Sequence, residues 1–160
     1  MPGQNDRAVF DKINTQMARF FTTEEEGRIT DHIALVETQS TGEVRVYIEK
    51  VCEGDVKGRT LDMFVHYELN KTLQRNGVLI YIATETKVFY IWGDEGIHQE
   101  AGQSLWDHVI SDLQISFSKG EFETGLIGAI DAIGAKLSYY FPRGDSDLNN
   151  ELPDDIIYGG

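Results

Sequence analysis

The chain has 160 residues, 41% of them hydrophobic and 11% aromatic, which is enough for one ordinary folded domain and excludes a disordered chain. Fourteen basic against 27 acidic residues leave a formal charge of −13. That balance excludes the basic face needed for nucleic-acid binding, disfavours an anionic membrane surface, and favours cations as ligands.

Apolar residues Val9, Phe10, Ile13, Met17 and Phe20 recur at steps of three and four, the helical period, so residues 1–19 read as a helical arm that packs on the domain or docks on a partner. Thr23-Glu24-Glu25-Glu26 has the pattern of a capping box, with Phe21 ahead of it as a hydrophobic staple. The helix it starts carries Ile29, Ile33 and Val36 on one face and ends near Gln39. After the turn Ser40-Thr41-Gly42, residues 43–51 alternate. Val44, Val46 and Ile48 point one way and Glu43, Arg45, Tyr47 and Glu49 the other, as in a half-buried strand. Leu61, Phe64 and Leu69 mark a second helix. Val78-Leu79-Ile80-Tyr81-Ile82 is apolar throughout, as a central strand requires, and residues 87–92 form the next strand of an antiparallel hairpin.

Gly93-Asp94-Glu95-Gly96 closes that strand as a loop. Leu105, Val109, Leu113 and Phe117 mark a third long helix. Phe122, Leu126, Ile130, Ile133 and Leu137 mark a fourth, which Phe141-Pro142 stops. Gly125, Gly128 and Gly134 suit close packing of that last helix on the sheet. This order of elements gives an α/β fold, a three-layer αβα sandwich with a small mixed central sheet. The first two strands are expected parallel across a helical crossover and the third antiparallel to the second. Glu43, Asn76, Asp94 and Glu95 then gather at one end of the sheet.

Cys52 is the single cysteine, so no internal disulfide can form. The polar residues 1–7 show no apolar leader and the run 77–83 is far too short to span a bilayer, so a cytoplasmic protein without a membrane anchor is expected. No HExxH, GxSxG or phosphate-binding loop pattern is present. His32, His66 and His108 fall on helices. His98 alone follows the Asp94 loop and is placed to join a site there.

Five stretches carry a family resemblance in order and spacing: Phe21-Thr22-Thr23-Glu24-Glu25; Ser40-Thr41-Gly42-Glu43-Val44-Arg45-Val46; Asn76-Gly77-Val78-Leu79-Ile80-Tyr81; Ile91-Trp92-Gly93-Asp94-Glu95-Gly96-Ile97; and Lys119-Gly120-Glu121-Phe122-Glu123-Thr124-Gly125-Leu126. Across residues 20–141 the chain resembles a TPM domain, the family of thylakoid-lumen photosystem-repair proteins and their bacterial relatives. The resemblance implies an αβα sandwich. It also implies a divalent-metal site, the weak acid phosphatase activity of a plant relative, or a role in assembling membrane complexes. Many members of the family carry a signal peptide and a membrane anchor; this chain resembles the stand-alone domains. The organisation expected is a helical arm at 1–19, the domain at 20–141 and an acidic tail at 142–160 packed on it.

The tail places oxygen-bearing side chains at alternate positions, Asp145, Asp147, Asn149 and Glu151, as calcium loops do. Ile156 stands where an EF-hand has its bidentate Glu, so this is no EF-hand. Leu148, Leu152, Pro153, Ile156 and Ile157 are more apolar than a solvating tail needs, and suit a tail that docks. Asp94 and Glu95, between glycines, offer further hard ligands, with Glu43 at the neighbouring strand start. A tail that crosses the Asp94 loop would bring two acidic segments around one divalent cation. All-oxygen ligation favours Ca²⁺, with Mg²⁺ or Mn²⁺ as alternatives. Three functions stay open: a non-catalytic cation-binding regulatory or protein-interaction domain, a metal-dependent phosphatase, and a structural scaffold with an incidental ion.

Overall fold

The structure is a computed structural model that describes residues 20–144 and 154–159. The arm expected at residues 1–19 lies outside the described residues. Helix α1 spans Thr23–Gln39. Its capping box sits one residue earlier than the sequence pattern suggests. Thr22 is the N-cap: the Glu25 amide donates to Thr22 Oγ1 at 3.1 Å and the Thr22 amide donates to Glu25 Oε1 at 2.9 Å. Glu24, Glu25 and Glu26 in the first turn also complement the positive end of the helix dipole.

Strand β1, Glu43–Glu49, follows, then helix α2, Val56–His66, capped by the Asp55 carboxylate on the Gly58 amide. A single 3₁₀ turn at Leu69–Lys71 leads to β2, Gly77–Ala83, and a hairpin to β3, Val88–Gly93. Helices α3, Glu95–Ala101, α4, Gln103–Ser118, and α5, Phe122–Tyr140, complete the domain, and a two-residue strand β4, Ile157–Tyr158, closes the described chain.

The sheet order is β3-β2-β1-β4. β1 is parallel to β2 and to β4, and β2 is antiparallel to β3. Alternation along the strands sends side chains to two cores. Val44, Val46, Ile48, Val78, Ile80 and Ile82 join α1, α4 and α5 on one face. Tyr47, Leu79 and Tyr81 join Phe64 of α2 and Leu69 on the other. This is the αβα layering expected from the element order.

Three further details differ from the sequence reading. β1 is buried on both faces, not half-buried: Glu43, Arg45 and Tyr47 are all under cover, because α2 and the returning tail shield the face that carries them. The segment after β3 is a short helix, not an open loop; seven residues are too few to show helical periodicity. Of the glycines of α5, Gly125 and Gly134 serve helix contacts rather than the sheet, and a Cβ on Gly128 would meet nothing within 4 Å. A Cβ on Gly134 would lie 2.5 Å from Val36 Cγ2 of α1, and one on Gly125 would lie 2.7 Å from Ser116 Cβ of α4.

Candidate functional site

Register places the acidic residues. Glu43 pairs with Gly77 and Val78 with Gly93, so the starts of β1 and β2 meet the end of β3. Glu43, Asn76, Asp94 and Glu95 therefore share one end of the sheet, as the topology requires. They do not form one cluster there.

Asp94 is the N-cap of α3; its Oδ1 accepts from the Glu95 amide at 2.9 Å. Arg75 takes both carboxylate oxygens, Nε donating to Oδ2 at 2.6 Å and Nη2 to Oδ1 at 3.0 Å. The fork of donors matches the carboxylate, which makes this a strong, directional pair. Arg75 reaches it from a left-handed backbone, φ 54°. Its carbonyl accepts from the Gly96 amide at 2.8 Å. Gly96 allows that approach: a Cβ there would lie 2.1 Å from the Gln74 carbonyl oxygen. Glu95 is largely exposed, its carboxylate 3.3 Å from Arg75 Nη1. The Asp94–Glu95 pair thus faces a cation that the protein itself supplies. His98 is also engaged, its Nδ1 accepting from Trp106 Nε1 at 2.9 Å.

Glu43 has a different neighbour. It is fully buried, and beside it lies Glu37, from the last turn of α1, 5% exposed. Burial foremost, then Glu43's hydrogen bond and charge and the charge of Asp154, push the Glu37 carboxyl up to about 10. A carboxyl so placed keeps its proton at neutral pH, since two adjacent buried carboxylates cannot both ionise without a cation. Both Glu37 oxygens are sealed from solvent, as is Asn76 Oδ1 in the turn before β2, and the Val44 backbone amide only partly offsets the upward shift. Arg45 is the cation whose charge acts on this pair. Burial lowers its pKa, partly offset by Tyr67, Glu43, Asp155 and Glu37, and its guanidinium lies 5.8 Å over the Tyr67 ring.

The tail is anchored at this end too. The Arg143 amide donates to the Gln39 carbonyl at 3.2 Å and its Nε to the Ser40 carbonyl at 3.2 Å. After the stretch with Asp145, Asp147, Asn149 and Glu151, which lies outside the described residues, the chain returns at Asp154, whose charge acts on Glu37. Ile157 and Tyr158 then pair with Tyr47 and Ile48 of β1, and the Gly159 amide donates to the Ile48 carbonyl at 2.6 Å. The described end of the tail lies along β1, at the sheet edge opposite β3, so it does not cross the Asp94 helix. β2 and β1 separate the two.

A second polar site lies at the other end of β1, where parallel strands of open α/β sheets commonly present ligands. A cleft of about 520 Å³ is lined by Glu49, Glu53, Asp55, Gly58, Arg59 and Asp62. Arg59 binds Glu49 with two bonds of 2.8 and 2.9 Å, and the Tyr81 hydroxyl donates to the same carboxylate. Burial would raise Glu49's pKa, yet Arg59 and Tyr81 together hold it below the usual value. Tyr47, which accepts from Arg59, is pushed up to about 12 by burial and the Glu49 charge. Among the described residues, no group of three or more His, Cys, Asp or Glu side chains is arranged to hold a metal ion. Two carboxyl groups, Glu37 and Glu43, are the most that this end of β1 supplies by itself. The residues fit a hard cation only if tail oxygens complete the shell.

The TPM domain model matches residues 14–136. The chain belongs to the TPM domain family. Among the described residues, the match covers every helix of this TPM domain but the last turn of α5, and all the strands but β4. The BA42 protein of the psychrophilic bacterium Bizionia argentinensis, solved by NMR, is 40% identical over 89% of this chain and 98% of its own, with a TM-score of 0.83. The N-terminal domain of a P. gingivalis protein, also an NMR structure, is 16% identical over 78% of this chain and 81% of its own; its TM-score of 0.66 shows a shared fold. No match was found among curated proteins. No helix among the described residues is long and apolar enough to cross a membrane.

Proposed function

We propose that this TPM domain is a non-catalytic divalent-cation-binding module, with Ca²⁺ held between Glu37, Glu43 and oxygen ligands of the tail, Asp145, Asp147, Asn149 and Glu151. The observation that carries the reading is the buried Glu37–Glu43 carboxyl pair, with the tail anchored at Arg143 on Ser40 and again at Ile157 and Tyr158 along β1. Two buried acids side by side are a costly arrangement even with a shared proton. A hard cation in the proton's place removes the repulsion and takes oxygen ligands in number, as Ca²⁺ does; Mg²⁺ or Mn²⁺ would need a tighter octahedron. Asp94 and Glu95 are left to Arg75 in this reading.

The ion would fasten the tail to the end of α1 and the start of β1, and so present one tail surface to a protein partner when calcium is present. A phosphatase would instead need a cationic side chain to grip a phosphoryl group. The guanidiniums at the acidic ends are already engaged: Arg75 with Asp94, Arg59 with Glu49, Arg45 over the Tyr67 ring and Arg143 with the Ser40 carbonyl, which favours the non-catalytic reading. A cytoplasmic setting belongs to the same proposal, since a sensor there meets changing calcium.

Because calcium competes with the Glu37 proton, apparent affinity should tighten as pH rises from 6 to 8, and binding should release close to one proton. Titration calorimetry in buffers of different ionisation enthalpy reads both. Glu37→Gln and Glu43→Gln should each weaken binding, and turnover of a generic phosphomonoester should be absent with or without calcium. Binding that ignores both substitutions, or no heat at millimolar calcium, refutes the assignment.

A further inference from the structure

The domain carries an apolar groove that no element in the described chain fills. Its volume is about 430 Å³, and it lies between the start of β3 and the end of α4. Val88 and Phe89 of the edge strand form one wall, and Phe117 and Phe122 the other. The rings form a continuous ladder: Phe89 to Phe117 at 5.5 Å, Phe117 to Phe122 at 5.3 Å, and Phe122 to Phe20 at 4.7 Å between centroids. The last rung, Phe20, is the residue at which residues 1–19 join the domain.

We propose that the groove is the docking site of the chain's own N-terminal arm, residues 9–19 laid along it as an amphipathic helix. Four observations meet here. The chain enters at Phe20, itself part of the groove wall. On a helical period Val9, Phe10, Ile13, Met17 and Phe20 fall within an arc of roughly 100°, while Asp11, Lys12, Thr15 and Arg19 fall outside it. Eleven helical residues span roughly 16 Å, short enough to stay on one domain face. Finally, the family match reaches into this segment, starting at residue 14. The docked arm covers β3, whose outer edge is otherwise open to strand pairing.

The test uses the full chain. A nitroxide is placed at Thr15→Cys, on the polar side of the arm, with Cys52→Ala removing the buried native thiol. Amide signals of Lys87, Val88, Phe89, Gln114, Phe117 and Ser118 should be broadened in the labelled chain itself. They should stay sharp when unenriched labelled chain is mixed with enriched unlabelled chain. Broadening only in the mixed sample would make the occupant a second copy and overturn the proposal, as would broadening elsewhere or none. A second variant avoids the cysteine exchange: Ile13→Asp with Met17→Asp, both outside the domain core. It should shift the Val88, Phe89 and Phe117 signals and raise the fluorescence of an apolar-surface dye several-fold. Unchanged groove signals in that variant would also overturn the proposal.

Discussion

Asp94 and Glu37 are buried to the same degree, each 5% exposed, at the same end of one sheet. Asp94 meets a guanidinium in bidentate geometry and caps a helix. Glu37 meets another carboxyl group and keeps its proton. The difference teaches that burial of an acid says little about its role until the partner is known. A carboxylate with its own arginine stabilises the fold as it stands, whereas a carboxyl pair is stable only while a proton, or a cation in its place, sits with it.

The largest effect should come from breaking the Asp94 side through its backbone. Gly96→Ala drives a Cβ into the carbonyls of Gln74 and Arg75, which cannot rotate away. A loss of about 2–4 kcal/mol in urea denaturation is expected; an unchanged midpoint would show that the Arg75 turn is not held by that contact. Next, Ca²⁺ at a hundredfold excess over its dissociation constant should stabilise the protein by about 2.7 kcal/mol, read as a rise in melting temperature that Glu43→Gln removes.

A smaller loss should follow Asp94→Ala: about 1 kcal/mol from the cap alone, with the ion pair adding to it, and an intact calcium response. Loss of that response would return Asp94 to the cation site. The smallest change is the most diagnostic. Glu37→Gln should leave calcium-free stability at pH 8 equal or higher, and should flatten its pH dependence. The sign follows from linkage: Glu37's folded pKa, about 10, lies above its ordinary 4.5. The stability it lends is full below pH 4.5 and drains as pH rises toward 10. Glu49 works the other way. Its folded pKa is depressed, so its contribution is present above the ordinary value and lost as pH falls through the folded one. Calcium should reverse only the alkaline loss; thermal melts from pH 3 to 9 with and without the ion separate the two.

Much of the site's frame was legible in the chain. The alternation at β1 and the apolar run at β2 place Glu43 and Gly77 side by side once the strands are parallel, and the hairpin brings Asp94 back to them. Glu37 was missed, although a signal was there: it lies four residues after Ile33, on the apolar stripe of α1, where an acid is out of place. The helical run of α3 is too short to read, so Asp94 reads as a loop residue rather than a cap.

The sequence by itself determined the longer elements, the layers and the gathering of acids at one sheet end, because hydrophobic period and strand polarity are carried in local order. Only the tertiary structure decided which acid faces which partner. Arg75 finds Asp94 across 19 residues through a left-handed turn and a glycine contact. Glu37 finds Glu43 because α1 folds back over the strand that follows it. The tail finds the edge of β1 with a strand of two residues, too short to leave a period. These are pairings between surfaces that meet only on folding, and no local pattern encodes them.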